Sequence, residues 1–469
     1  MLSRLLQSPR RHERGQTIAL VAISLVSLLA MCALAIDVVT LYVARGEAQR
    51  AADAAALGAA KVLADAGVTT DPGNTDSIWA AACTAAVNEA QSVAGQNTVA
   101  GQNPAAANVN VTFPQLGGST CTTPNPAFGS NPQVTVKVTV GNLPTFFARI
   151  WSNATNSATA TATAEAYNPA NYSIYPTGAG NVPNAPRCVK PLLLPNCDPG
   201  NAGSGSGCAG FGTFISASSG AITRPGNATS PTPGIIGESF TLTSACANAP
   251  CNTLNPPAVT AGPPPPTNPY NLYYYPLSIP SSGSGLCPNC VPSSPTGFES
   301  DLACCNWSPV QCGLNVSLDT ADPSPDGSGG PAAQAGQCLI HISTWSAFSA
   351  NCVPSLDQDC LDTTKTPFVM EAGTNNPLKG NTTGSSLNSG DVISTSDSVV
   401  SLPIYDSSGG GAPASPVAVI GFLQVFINDV NDNGQFTVTV LNVTGCGNTP
   451  APPAVLGSGL PVGVRLIQP

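Results

Sequence analysis

Twenty consecutive residues without a charge, Thr17 to Ile36 (TIALVAISLVSLLAMCALAI), constrain this chain more than any other feature. At 1.5 Å per residue such a helix spans the ~30 Å hydrocarbon core of a bilayer. A buried core helix of that length would normally carry a polar face. Arg4, Arg10, Arg11 and Arg14 precede the stretch and Asp37 follows it. That polarity predicts a cytoplasmic N-terminus and an exported remainder, with the lipid bilayer as partner along Thr17–Ile36. Three processing signals overlap the segment. A signal peptidase would use Ala33-Leu34-Ala35 and release a secreted or surface-displayed adhesin after Ala35. A lipoprotein cut would need a small residue before Cys32, where Met31 stands. Prepilin-type cleavage after Gly15 usually wants a Glu where this chain has Leu20. Retention as an anchor is the favoured expectation.

Beyond the span the chain is acidic and sparsely charged. It holds 11 of the 15 basic residues against 24 of the 25 acidic ones. Nucleic-acid binding needs clustered Lys and Arg to neutralise phosphates, so that partner is excluded. Charged residues make up 9% of the chain, apolar residues 42%, and Gly and Pro contribute 46 each. Apolar segments long enough to be buried are thus separated by Pro/Gly/Ser connectors.

Asp37 to Gly67 contains no Pro and is dominated by good helix formers. Leu41, Ala44, Ala48, Ala51, Ala55, Gly58 and Val62 recur at steps of three and four, one face of a helix. Small residues there permit close helix approach, either to the protein's own domain or to a second copy. In order, Arg14-Gly15-Gln16, the apolar span, Ile36-Asp37-Val38, Leu41 to Arg45, Gln49 and Ala51 to Leu57 form a set of landmarks. This set, over roughly residues 13–62, resembles the N-terminal domain of TadE/TadG-like proteins. These are single-span bacterial envelope proteins associated with Flp (Tad) pilus assembly. The resemblance implies an inner-membrane protein whose periplasmic or extracellular ectodomain meets pilus-assembly or envelope proteins.

The expected architecture is an α+β membrane-anchored protein with a long N-terminal transmembrane/juxtamembrane helix. Residues 1–15 form a basic cytoplasmic segment, 16–36 the span and 37–67 the juxtamembrane helix. A small pilin-like α/β domain follows over 68–167, with a helix over Ser77–Ala94 capped by Asn74, Thr75 or Asp76. Its strands are expected over Asn108–Phe113, Gln133–Val140 and Ala158–Ala166, with a short apolar plug over Leu143–Trp151. Residues 168–296 read as a Pro/Gly/Ser/Cys-rich, disulfide-linked insert with short strands over Gly212–Ala217, Glu238–Thr243 and Asn271–Ile279. Residues 297–469 read as an antiparallel β domain. Its strands are Val399–Tyr405, Val417–Asn428 and Gln435–Val443, the last two joined by a tight turn over Val430-Asn-Asp-Asn-Gly434.

Of 17 cysteines, Cys32 lies in the span and 16 lie outside it. An even number in an exported domain reads as disulfides, each contributing roughly 2–4 kcal/mol. Pairing is open, with Cys188–Cys197, Cys246–Cys251 and Cys352–Cys360 as nearby candidates. Adjacent Cys304 and Cys305 require different partners. Cys287-Pro-Asn-Cys290 has the spacing of a thiol oxidoreductase but sits in loop sequence without the helix that lowers a thiol pKa. Asp429, Asn431 and Asn433 match the start of a calcium loop, yet Val440 stands where a bidentate Glu belongs, and hairpin chemistry explains the same residues. His341 reads as a structural residue on a strand. No catalytic motif, cofactor site or zinc site is expected, leaving a non-enzymatic binding and scaffolding protein.

Overall fold

A computed structural model describes residues 13–70, 78–114, 121, 131–143, 156–170, 184–202, 210–226, 234–246, 254, 256, 257, 259, 269–280, 287, 288, 290, 297–320, 330–343, 352, 353, 355–379, 387–446, 455, 456 and 460–467. The expected span and juxtamembrane helix are one element. Helix α1 (Glu13–Asp65) runs unbroken through Asp37 for 53 residues. From Gln16 to Val39 most of its side chains are exposed, with Ala33 and Asp37 buried. Its second half buries Ala44, Ala48, Ala51, Ala52, Ala55, Ala56, Ala59, Ala60 and Leu63. That buried face is wider than the expected stripe, while Leu41 and Val62 lie at its margin.

The buried half packs on helix α2 (Ile78–Gln96) and on an antiparallel sheet of β1 (Val109–Thr112), β2 (Gln133–Leu143) and β3 (Asn156–Tyr167). β3 alternates Thr with Ala over much of its length, and Ala158, Ala160, Ala162, Ala164 and Ala166 are its buried apolar set. Methyl-sized side chains on both elements let backbone approach backbone. Gln49 Nε2, from α1, accordingly donates to the β3 carbonyl of Thr161 at 3.1 Å. Trp79 meets Phe113 edge to face, and Cys83–Cys121 fastens α2 to the loop after β1. The Asn74–Asp76 caps and residues 144–151 of the proposed plug lie outside the described residues.

Two corrections concern chain organisation. The insert and the C-terminal region form a single mixed sheet rather than an insert beside an antiparallel domain. Its strands are β4 (Leu192–Pro195), β5 (Ser239–Ser244), β6 (Tyr270–Ser278), β7 (Asn315–Leu318), β8 (Val399–Tyr405), β9 (Val417–Val430) and β10 (Phe436–Gly445). Pairing runs β9–β8–β4–β6–β5–β10 and returns to β9, a closed six-stranded ring. β8–β4 and β6–β5 are parallel and the other four pairs antiparallel. β7 bridges β9 and β6. Closure removes exposed sheet edges, and β10 and most of β9 are buried on both faces. The second correction is β11 (Gly463–Ile467), which leaves the C-terminal region and pairs with β3. There Arg465 pairs with Glu165 at 2.5 Å and lies over Tyr167, 4.5 Å from the ring centroid.

The helical half and the ring are joined by buried polar groups. Asn442 of β10 donates through Nδ2 to the Ala64 carbonyl (2.6 Å) and to Gln424 Oε1 (2.9 Å). Its Oδ1 accepts from the hydroxyls of Thr69 and Thr70, each at 3.2 Å. Asn168, just past β3, donates to the Val443 carbonyl at 2.8 Å and to the Thr69 carbonyl at 3.3 Å. The end of α1 is thereby sewn to the ring.

Candidate functional site

The most distinctive surface is the first half of α1. Ile18, Leu20, Val21, Ile23, Leu25, Val26, Leu28, Leu29, Met31, Leu34 and Ile36 are all at least half exposed. Water disfavours this, since monomeric soluble proteins rarely expose contiguous apolar area on that scale. The few polar side chains are satisfied within the helix. Ser24 Oγ donates to the Val21 carbonyl (2.9 Å), Ser27 Oγ to Ile23 (2.8 Å) and Thr40 Oγ1 to Ile36 (2.9 Å). A helix that meets its own hydrogen-bonding needs suits a medium without water. It is long and apolar enough to cross a membrane. Ala33-Leu34-Ala35 lies in mid-helix. The Ala-rich face beyond is enclosed by the protein's own domain, so along Ala44–Ala64 it is not presented to a second copy.

Of the expected neighbour pairs, Cys352–Cys360 forms and Cys188–Cys197 does not. Cys188 bonds Cys305 rather than Cys197, because the return of the chain after α3 (Gly297–Ala303) brings Cys305 beside it. Cys304 bonds Cys287, and Cys290 bonds Cys338. The two ends of Cys287-Pro-Asn-Cys290 thus have separate partners and do not form the internal disulfide that an oxidoreductase cycle requires. Cys312 joins Cys446, and Cys352 joins Cys360. Cys197 and Cys246 are also disulfide-bonded, while Cys251 lies outside the described residues. Cys32 is the free thiol among the described residues.

Three of these disulfides border a cleft of about 680 Å³ beside β8. Lys190 lines it, enclosed by protein, and its Nζ donates to the Cys304 carbonyl at 2.8 Å. Burial pulls its ammonium down to about 8, against the opposing pull of Asp397 and Asp301. His341 faces the same space, with Nε2 3.0 Å from Asp397 Oδ2. It is not on a strand as expected. Helix α4 (Pro331–Leu339) opens on Pro at its first turn and ends just before His341, whose φ of +66° turns the chain out. The Ser396 hydroxyl, also at the cleft, donates to Asp359 at 2.6 Å. Lys190 and Asp397 gave no sequence signal, because they meet across two hundred residues.

The calcium-loop residues serve the turn between β9 and β10. Asn431 Oδ1 accepts the backbone N–H groups of Asn433 and Gln435, each at 3.0 Å, and Gly434 takes φ +73°. Asn431 is therefore committed to the hairpin, and Asp429 is buried on β9. Among the described residues, no three His, Cys, Asp or Glu side chains converge to hold a metal. A separate buried ion cluster joins Arg224 to Asp198 and Glu238. Burial pushes the Asp198 carboxyl up to about 6, with Arg224 acting in the opposite direction.

Neither the comparison with curated proteins nor that with solved structures finds a match. The family model described as putative Flp pilus-assembly TadE/G-like matches residues 15–62. Those residues are the exposed apolar half of α1 together with most of its buried half. Over residues 15–62 the chain is therefore similar to the putative Flp pilus-assembly TadE/G-like family.

Proposed function

We propose that this chain is a non-enzymatic, membrane-anchored envelope protein that accompanies Flp/Tad pilus assembly through an exported ectodomain. The carrying observation is the continuity of α1, whose apolar half is exposed while its Ala-rich half is core. Such a helix transmits position directly from bilayer to ectodomain, with no linker to absorb motion. The arginines before it support a cytoplasmic N-terminus, with the remainder outside a bacterial inner membrane in this reading. The released-adhesin alternative needs a peptidase to cut inside this helix. Covalent chemistry at the cleft needs a nucleophile. Its described cysteines are all bonded, Ser396 is engaged by Asp359 and the Lys190 amine by the Cys304 carbonyl, which favours binding over catalysis.

Deletion of the gene in its native bacterium tests the assignment, with surface pili counted by electron microscopy. Loss of pili is expected, restored by the full chain. An ectodomain exported without residues 1–36 should not restore them. Unchanged piliation in the deletion strain would contradict the proposal.

A further inference from the structure

By sequence, the bilayer edge falls at Asp37, the first charge after the apolar run. The side chains place it elsewhere. Asp37 is only 3% exposed and shares a helix face with Ala33, Ala44 and Ala48, all turned into the protein. On the remaining faces Val38, Val39, Tyr42 and Val43 are 51–79% exposed. The next charged side chain to reach the surface is Arg45. The outward surface of α1 is thus uncharged from Thr17 to Ala44, about 42 Å at 1.5 Å per residue. The hydrocarbon core is ~30 Å thick, and an average tilt of about 20° lengthens the path by only about 2 Å. The excess matches the polar interfacial zone, where tyrosines concentrate and an arginine marks the aqueous border.

We propose that the lipid-facing surface of α1 extends to Arg45, so that Val38, Val39, Tyr42 and Val43 lie against lipid of the ectodomain-side leaflet. The side of the protein toward which Asp37 is buried then rests on the bilayer instead of standing clear of it. This inference rests on the anchored reading above. Charge at position 37 is tolerated because it points away from lipid.

The test uses the full chain in vesicles of phosphatidylethanolamine and phosphatidylglycerol doped with a fluorescent phospholipid. A photoreactive benzoylphenylalanine replaces Leu29, Tyr42 or Arg50 in turn, all exposed positions whose replacement leaves the core intact. Lipid capture at Tyr42 should be within about threefold of that at Leu29, and capture at Arg50 about tenfold lower, if the interface extends this far. Capture at Leu29 with none at Tyr42 would overturn the proposal and return the edge to Asp37. Absence of capture at Leu29 would overturn the anchored reading itself.

Discussion

Asn442 is the residue on which the helical half and the ring meet. Fully buried, it uses both amide hydrogens and accepts two hydroxyls. Replacing it with Ala strands those partners without water, so Asn442→Ala should lower unfolding stability by about 2–4 kcal/mol in denaturant titration of detergent-solubilised protein. A change within a few tenths would deny the junction its role. Asp198 offers a pH signature. Its carboxyl pKa is near 6 when folded and 3.8 in the reference state, so the folded chain holds the proton more tightly. Stability from this group is therefore full below pH 4 and falls as pH rises to about 6, by at most about 3 kcal/mol. Asp198→Asn should flatten that slope relative to the parent in thermal melts between pH 4 and 6. An identical slope would refute the assignment. Neither residue was legible in sequence, since a buried polar side chain is defined by partners that may be hundreds of residues distant. Cys188 shows the same limit, because proximity in sequence pointed to Cys197 and the fold supplied Cys305.

Elements were more legible than residues. The period-two alternation of β2, β3 and β10 and the apolar run of β9 mark strands because side-chain burial follows backbone period. α1 was legible as one long transmembrane/juxtamembrane helix; the inward turn of Asp37 was not, because a charge after an apolar run looks like a membrane edge until its burial is known. Ring closure was hidden for another reason. Short β4 and the parallel β6–β5 pair depend on contacts between distant segments, which local pattern does not encode. For α1 the close approach of Ala to Ala is the structural principle. Ala55→Leu keeps helix propensity and adds volume where there is none, so it should cost about 1–3 kcal/mol in the same titration while helical circular dichroism is kept. Equal or greater stability would mean that this interface is loosely packed.

At the scale of the whole molecule, one helix carries both address and architecture. Its first half is apolar and exposed, its second half packs on the first sheet, and its end is tied to a ring stapled by disulfides. The candidate site was legible where it depends on composition, in Thr17–Ile36 and the landmarks up to residue 62. It was not legible at the cleft, where Lys190, His341 and Asp397 converge by folding alone. The most direct test is the mature form of the protein in its native cell. Membranes are washed with alkaline carbonate, and the protein is recovered for intact-mass analysis and N-terminal sequencing. The account predicts a chain that stays in the membrane pellet with Cys32 still joined to the ectodomain. A carbonate-soluble protein beginning at Ile36 would contradict it.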